Sequence, residues 1–172
     1  RSSRLITPDI MDDLQEHVAW APLHMPVALR VIEALSVQRP GLPQVACFDT
    51  SFHARMPDVA RRLPLPEKFF DQGICKYGFH GLSYEYVFSV LGKAAGGRVV
   101  VAHLGNGASM AACLDGRCID TTMGMTTPAG RMMGTRCGDL DPVVFDYLMT
   151  HTGLTPGGMD DTRFVRLLMD EH

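Results

Sequence analysis

Length, composition and charge already exclude several classes of protein. The chain has 172 residues, of which 46% are hydrophobic and 20% are charged, a composition typical of a globular domain and not of a disordered or fibrous chain. Its formal net charge of −3 offers no basic field to a nucleic acid or an anionic membrane, and no apolar run approaches the roughly 20 residues that cross a bilayer. We therefore expect a soluble, intracellular protein that binds neither.

The first fifty residues predict two helices and a strand. Pro8 opens a helix that Pro22 closes, and a second helix begins at Pro26 and ends before Pro40. The apolar run 45–48 predicts an interior parallel strand with a site at its carboxyl end. The apolar residues of the second helix recur at three- and four-residue steps and predict an amphipathic helix; they are Val27, Val31, Ile32 and Leu35.

The middle of the chain predicts a broken connection followed by a helix. Prolines interrupt residues 51–78 and leave room only for a short helix over 57–62. Residues 81–91 predict a longer helix that Gly92 stops. Its apolar stripe is Leu82, Tyr86, Val87, Val90 and Leu91.

The pattern then changes to strands. Residues 98–104, 108–114 and 117–121 predict three strands, and Asp115-Gly116 is typical of a type I′ turn between the last two. Asp141 and Pro142 predict the start of a helix over 143–151, and Asp161 opens a last helix. The whole predicts an α/β domain.

The ends and the cysteines add two expectations. The chain begins at Arg1 without a Met and stops within a helical pattern, which indicates a segment of a longer protein. Its five cysteines are scattered, with no C-x-x-C pair, and we expect reduced and mostly buried thiols.

A glycine-rich turn between two predicted strands is the first candidate site. The run from His103 to Ser109 carries Gly105, Asn106 and Gly107. Glycines admit positive φ and have no Cβ, so such a turn can place backbone N–H groups against a phosphate. A tight hairpin without a ligand is the alternative, because short glycine patterns are common.

An arginine between two glycines is the second candidate. Arg136 lies between Gly134 and Gly138 in a polar, broken stretch, and its guanidinium suits carboxylate or phosphoryl oxygens. A surface arginine in an exposed loop is the alternative. Asp139 and Asp141 also have a turn or capping role open to them.

Two further residues stand at the ends of predicted elements. His80 immediately precedes a helix, where it can donate to an oxyanion or simply cap or pack. Asp49 follows the apolar run 45–48, and it could accept a proton, hold Mg²⁺ through water, or cap a turn.

Taken together, these motifs resemble the acetate kinase family, in the family's order and over essentially the whole chain. The matching stretches are Ala21-Pro22-Leu23-His24, Phe48-Asp49-Thr50 with Phe52-His53, Tyr77-Gly78-Phe79-His80-Gly81, 103–109, 120–126 and 133–142.

The resemblance implies a fold and a reaction. The fold would be ribonuclease-H-like, of the actin-like ATPase superfamily, with two domains around a cleft. Residues 1–49 would form the C-terminal part of the first domain and 50–172 the N-terminal part of the second. The function would be that of a short-chain carboxylate kinase, a cytoplasmic homodimer that moves a phosphoryl group between ATP and acetate with Mg²⁺, giving acetyl phosphate and ADP.

The resemblance also implies roles for individual residues. Arg136, His80 and Asp49 would be catalytic, with Asp49 near the metal and contacting it through water. The phosphate-binding turn would be His103, Gly105, Asn106 and Gly107. The substrate-binding residues would be Leu23, His24, Phe79 and Thr127.

Two departures from the family's pattern keep alternatives open. Thr127 stands where the family usually has a pocket-lining proline, and Ala129 replaces an acidic residue. A propionate or butyrate kinase is therefore one alternative. A non-catalytic, degenerate fragment that serves as an oligomerisation module is the other.

Overall fold

The computed structural model describes residues 2–20, 24–134 and 136–152. Short 3₁₀ turns occupy His17–Trp20, Ser51–His53 and Gly92–Ala95. In the described part of the chain the α-helices are α1 (Pro8–Glu16), α2 (Met25–Gln38), α3 (Asp58–Arg61), α4 (Glu67–Asp71), α5 (Gly81–Leu91) and α6 (Pro142–Thr152).

An antiparallel meander of three strands forms the main sheet. Its strands are β3 (Arg98–Leu104), β4 (Ala108–Leu114) and β5 (Arg117–Thr121), in the order β3-β4-β5. These are the bounds that the sequence predicts. Asp115 and Gly116 have φ values of +49° and +76°, as a type I′ turn requires.

The predicted interior strand is where the structure differs most. Only two residues of the run form a strand, β2 (Val45–Ala46), which pairs antiparallel with β1 (Arg4–Leu5), and Val45 is 57% exposed. The prediction of an interior parallel strand is therefore wrong for the described structure. An apolar run indicates that a segment tends to be buried, but it does not specify how many strands pair with it or whether they run parallel or antiparallel.

The core lies between α5, the turn at Ser51–His53 and one face of the sheet. α5 has the predicted bounds, but its buried face does not follow the predicted stripe, because Tyr84 is fully buried whereas Leu82, Tyr86, Val90 and Leu91 are exposed. The buried residues of α5 are Gly81 and Tyr84. A prediction from the spacing of apolar residues overlooks them, because glycine has no side chain and tyrosine carries a hydroxyl. The core cluster is Met56, Tyr84, Val101, Ala111, Cys113 and Cys118, with Phe52, Val87, Phe88 and Val99 packed against it.

α2 also exposes most of its predicted apolar face. Leu29 is buried, but Val27, Val31 and Leu35 are between 39% and 53% exposed. The periodic pattern predicts the helix correctly and does not identify what would cover it.

The prediction of a single short helix within residues 51–78 is only partly right. α3 lies inside the predicted range 57–62, but α4 (Glu67–Asp71) is a second short helix, because Pro66 stands before its first turn, where a missing N–H is tolerated.

The Asp141 carboxylate accepts the Val143 N–H at 2.8 Å and caps α6. All five cysteines are free, and Cys75, Cys113 and Cys118 are buried. No helix in the described ranges is long and apolar enough to span a membrane. The helix predicted from Asp161 lies outside the described residues.

Candidate functional site

His80 stands at the start of α5 in a conformation that few side chains adopt. Its backbone has φ +60° and ψ +23°, the left-handed region, which costs a non-glycine residue about 1–3 kcal/mol. Contacts with the surrounding structure must offset this cost. They are the hydrogen bonds and ring contacts of His80.

Asp49 holds the N–H side of His80. Its carboxylate accepts the His80 N–H at 2.5 Å and the Leu82 N–H at 3.4 Å. Its backbone carbonyl accepts the Gly81 N–H at 2.8 Å. A Cβ on Gly81 would lie 2.2 Å from that carbonyl oxygen, so only glycine permits the approach. Asp49 thus caps α5 from a distant part of the chain, one of the roles that the sequence leaves open.

His53 holds the other side of the same peptide. Its Nε2 donates to the Phe79 carbonyl at 2.9 Å, and its Nδ1 lies 3.1 Å from Cys118 Sγ. Burial lowers the pKa of His53 and raises that of Cys118 to about 12, so both groups are neutral at pH 7. The Phe79–His80 peptide is therefore fixed by a hydrogen bond at its carbonyl and another at its N–H.

The imidazole of His80 packs within a set of hydrogen-bonded side chains. Its Nδ1 lies 2.9 Å from Ser109 Oγ, which also hydrogen-bonds to the Tyr84 hydroxyl. The ring stacks on His103 with centroids 4.0 Å apart and planes at 17°. His103 is held in turn by Ser83, whose Oγ is 3.0 Å from its Nδ1.

His80 is neutral at pH 7. Burial lowers its pKa below 6.5, the positive charge of His103 when protonated and that of Arg136 act in the same direction, and only Asp49 opposes them. A neutral imidazole can donate one hydrogen bond without adding a charge.

Gly107 marks the point where the side chains of His80 and Arg136 come close together. A Cβ on Gly107 would lie 3.0 Å from His80 Nε2 and 3.5 Å from Arg136 Nη1. Neither Gly105 nor Gly107 has a positive φ, so of the two glycine properties named for this turn the backbone freedom is not used. What Gly107 provides is space between a histidine and an arginine.

The loop of Arg136 packs against this turn. Its Nη1 donates to the Thr127 carbonyl at 3.3 Å, and the Gly134 N–H donates to the Asn106 carbonyl at 3.3 Å. Within the turn, the Gly105 N–H donates to Gly107 at 3.0 Å. The structure thus brings together His80, His103, Asn106, Gly107, Thr127, Arg136 and, behind His80, Asp49.

The other predicted substrate residues are Phe79, His24 and Leu23. Phe79 lines a cavity of about 350 Å³ together with Met25 and Met125. His24 is exposed at the start of α2, beside Met25. Leu23 lies outside the described residues.

Several residues of the cluster have no role in the sequence prediction: Ser83, Tyr84 and His53. Ser109 is noted there only as a member of the glycine-turn motif. Two sequence signals could have identified Tyr84 and Ser109. Tyr84 follows His80 by four residues on one helix, and Ser109 faces His103 in the register of β3 and β4.

The described residues offer one carboxylate, that of Asp49, as a ligand for Mg²⁺. They do not form a complete metal site. Mg²⁺ is usually held by one or two carboxylates with water and substrate phosphates. Asp49 is the carboxylate behind His80, and its oxygens also serve two N–H groups. Within 2–20, 24–134 and 136–152, no three His, Cys, Asp or Glu side chains are grouped so that they could hold a metal ion.

Comparison with known proteins decides the family. The model of the acetokinase family matches residues 1–164. The chain belongs to this family. It is 50% identical over 161 residues to the acetate kinase of Rhodopseudomonas palustris and 44% identical over 159 residues to acetate kinase 2 of Clostridium perfringens. These alignments cover 91% and 89% of the chain but 40% of each relative, so the chain spans about two fifths of their length.

Solved structures of the acetokinase family share the fold. A propionate kinase from Francisella tularensis matches with a TM-score of 0.85 and 40% identity, over 93% of this chain and 44% of its own. The acetate kinase of Porphyromonas gingivalis matches with a TM-score of 0.77 and 38% identity, over 94% and 42%. The fold is therefore a part of the actin-like ATPase fold of acetate and propionate kinases, which confirms the predicted α/β class.

Proposed function

We propose that this chain supplies part of the active site of a short-chain carboxylate kinase. The reaction is reversible phosphoryl transfer between ATP and acetate, giving acetyl phosphate and ADP. The observation that carries the proposal is the convergence of His80 Nε2 and Arg136 Nη1 on Gly107, in a chain of the acetokinase family.

The reaction needs positioned charge more than it needs a protein nucleophile. A carboxylate oxygen of acetate forms a bond to the γ-phosphorus while the bond from phosphorus to the β,γ-bridging oxygen breaks, and ADP leaves with that electron pair. Negative charge spreads over the oxygens of the transferred group, so catalysis consists mainly of orientation and charge stabilisation.

Arg136 and His80 divide that task. The Arg136 guanidinium keeps its charge at any working pH and offers a fork of donors to the carboxylate and the phosphoryl oxygens. Neutral His80 adds a hydrogen bond to the phosphoryl group as charge develops. The lowered pKa of His80 keeps a second full charge away from Arg136.

The glycine turn and Asp49 complete the proposed phosphate side. His103, Gly105, Asn106 and Gly107 would bind the phosphates of ATP. Mg²⁺, when bound, supplies charge neutralisation of the phosphates, and Asp49 would contact it through water. Asp49 also has a structural role, because its carboxylate accepts the His80 N–H and fixes the backbone of His80.

Thr127 and Phe79 are proposed to shape the acyl end of the site, with Leu23 and His24. The Thr127 carbonyl accepts a hydrogen bond from Arg136, which supports a role for this loop beside the proposed carboxylate position. Propionate is a second candidate substrate, because one structure that matches the chain is a propionate kinase.

The proposal extends to the assembly and its location. We infer that the whole kinase is a cytoplasmic homodimer with two ribonuclease-H-like domains, of which residues 1–49 and 50–172 are the end of the first and the start of the second. This extension rests on family membership alone.

The direct test is an assay of a protein that has the relatives' full length and contains these 172 residues, called the full-length protein below. Acyl phosphate formed from acetate, propionate or butyrate with ATP is trapped as the hydroxamate. We expect ATP-dependent hydroxamate with acetate or propionate. A well-folded protein that yields none with any of the three acids contradicts the proposal and favours the oligomerisation module.

A further inference from the structure

We propose that His53 is a positioning residue that aims His80 at the transferred phosphoryl group. It acts through the peptide between Phe79 and His80, whose carbonyl accepts a hydrogen bond from His53. The inference rests on the proposed function, because it concerns how His80 is directed during phosphoryl transfer. The His53 side chain is 0% exposed, so it acts through His80 and not by contact with substrate.

The segment that carries His80 wraps around the His53 ring. Gly78 and His80 both have a positive φ, +72° and +60°. A Cβ on Gly78 would lie 2.7 Å from Cγ of His53, so this glycine packs directly on the ring. The ring also meets the rings of Phe52 and Tyr84 at nearly right angles, with centroids 5.4 Å and 5.8 Å away. Because neighbours fix it on several sides, the His53 ring is a rigid support for this segment.

The Phe79 carbonyl determines where the proton of His53 lies. A carbonyl oxygen can only accept, so the bond of 2.9 Å from Nε2 requires a proton on that nitrogen. Burial lowers the pKa of His53, and a neutral imidazole has a single N–H. Nδ1 is therefore unprotonated, and it lies 3.1 Å from Sγ of Cys118.

Asp49 and His53 hold opposite ends of one peptide. Asp49 accepts the His80 N–H at 2.5 Å, and His53 donates to the Phe79 carbonyl. A flip of this peptide, like the one that separates type I from type II turns, would relieve the positive φ of His80. The flip would turn a carbonyl oxygen toward a carboxylate and an N–H toward the N–H of His53. Both hydrogen bonds would be lost, so the two side chains together retain the strained conformation.

The backbone conformation of His80 sets the position of its ring. In that conformation the ring stacks on His103, with centroids 4.0 Å apart. Its Nε2 lies 3.0 Å from the place that a Cβ on Gly107 would occupy. A change of φ at His80 would redirect its Cα–Cβ bond, and a misplacement of about 1 Å can lower a rate by roughly 100-fold. We therefore expect the hydrogen bond from His53 to affect kcat more than the binding of ATP.

Nitrogen NMR tests the position of the proton without substrate. The full-length protein is labelled with ¹⁵N in its histidine rings, and its spectrum is recorded at pH 8, more than one unit above the ordinary histidine pKa of about 6.5. The signals that are missing from His53→Gln identify those of His53. We expect a protonated Nε2 and an unprotonated Nδ1. A proton on Nδ1 with a bare Nε2 overturns the proposal.

Two amide variants separate the hydrogen bond from the rest of the side chain. His53→Gln extends its amide to the place of Nε2 and retains a donor to the Phe79 carbonyl, whereas the amide of His53→Asn is one methylene shorter and falls short of it. We expect the kcat of His53→Asn to be roughly 10- to 100-fold below that of the unaltered protein, with little change in the KM for ATP. His53→Gln should regain most of this kcat. Equal kcat values in the two variants would contradict the proposal.

Met56→Ala is the control for stability. Met56 is 4% exposed in the core cluster with Tyr84, and its truncation leaves a cavity without removing a polar group. It should lower the melting temperature and keep a normal kcat, measured well below that temperature. If Met56→Ala loses as much kcat as His53→Asn, the effect of His53 is one of stability and the proposal is wrong.

The two kinds of measurement distinguish failure of the inference from failure of the proposed function. If the unaltered full-length protein forms no acyl phosphate, the proposed function fails, and the inference fails with it as a statement about catalysis. If the protein is active but the proton lies on Nδ1 of His53, or the two amide variants have equal kcat, the inference alone fails.

Discussion

At the scale of single residues, the site depends on where side chains are missing as much as on where they are present. Gly107 leaves open the space that His80 Nε2 and Arg136 Nη1 both border. The sequence analysis gives two reasons for a glycine in this turn, a positive φ and a missing Cβ. The backbone angle of Gly107 is ordinary, so the missing Cβ is the reason that the structure supports.

Gly107→Ala and Gly105→Ala form a matched pair that tests this clearance. An added Cβ lies 3.0 Å from His80 at position 107, but no closer than 3.5 Å from any other group at position 105. We expect Gly107→Ala to lower kcat/KM of the full-length protein by at least about tenfold more than Gly105→Ala, equivalent to roughly 1.4 kcal/mol. Equal losses in steady-state assays would contradict the assignment of this space to the transferred group.

Thr127→Pro tests the proposed acyl side. The Thr127 carbonyl that accepts from Arg136 is retained in proline, so the substitution alters shape and polarity more than the position of Arg136. One methylene in an apolar pocket contributes about 1–3 kcal/mol of discrimination, so the ratio of kcat/KM for acetate and propionate should change while the KM for ATP stays the same. An unchanged ratio would mean that Thr127 does not border the acyl group.

The role of a residue can be predicted from a sequence motif only when the residue that it contacts lies in the same motif. His80, His103 and Arg136 stand in recognisable motifs, and the structure places them together. Tyr84 and His53 act through contacts with residues 25 and 26 positions away. Such pairs are determined by the packing of α5 on the sheet, which a local pattern does not report.

At the scale of elements, α5 begins where it packs against the segment 49–53. Asp49 caps its first turn, His53 fixes the preceding peptide, and Gly81 allows the close approach of the Asp49 carbonyl. The bounds of α5 and of β3, β4 and β5 are predictable because their turns carry strong local signals such as Gly92 and Asp115-Gly116. The buried face of α5 and the partner of β2 are not, since both depend on distant segments.

Gly81→Ala should destabilise the protein although alanine is the better helix former. The added Cβ would lie 2.2 Å from a backbone oxygen of Asp49, which no side-chain rotation relieves. We expect a loss of about 1–3 kcal/mol, measured as a lower melting temperature. Gly96→Ala is the control, because its Cβ would lie at an ordinary 3.5 Å from Lys93 O, and it should be neutral or slightly stabilising.

At the scale of the whole molecule, the chain matches only one part of each curated relative. The chain spans about two fifths of its curated relatives and contains the cluster around Gly107. α2 exposes an apolar face on the surface of the described structure. The sequence pattern predicts this face correctly but does not show which segment or partner covers it.

Buried neutral histidines make stability depend on pH. His53 and His80 have folded-state pKa values below the ordinary 6.5, so their contribution is complete above pH 6.5 and is lost as the pH falls from 6.5 through the folded values. Each adds a slope of up to about 1.4 kcal/mol per pH unit in that window. Melting temperature should therefore fall on acidification below pH 6.5, and less steeply in His53→Gln. Parallel curves for the two proteins would exclude His53 as a source.

The central claim is that Arg136 stabilises the transferred phosphoryl group at the space beside Gly107, and the kcat of Arg136→Ala in the full-length protein tests it most directly. Loss of a charge-assisted contact to the transition state should lower kcat by at least about 100-fold, with melting temperature unchanged. Arg117→Ala, which removes an exposed arginine from β5, should keep normal turnover. Near-normal kcat in Arg136→Ala, or an equal loss in both variants, would contradict the account.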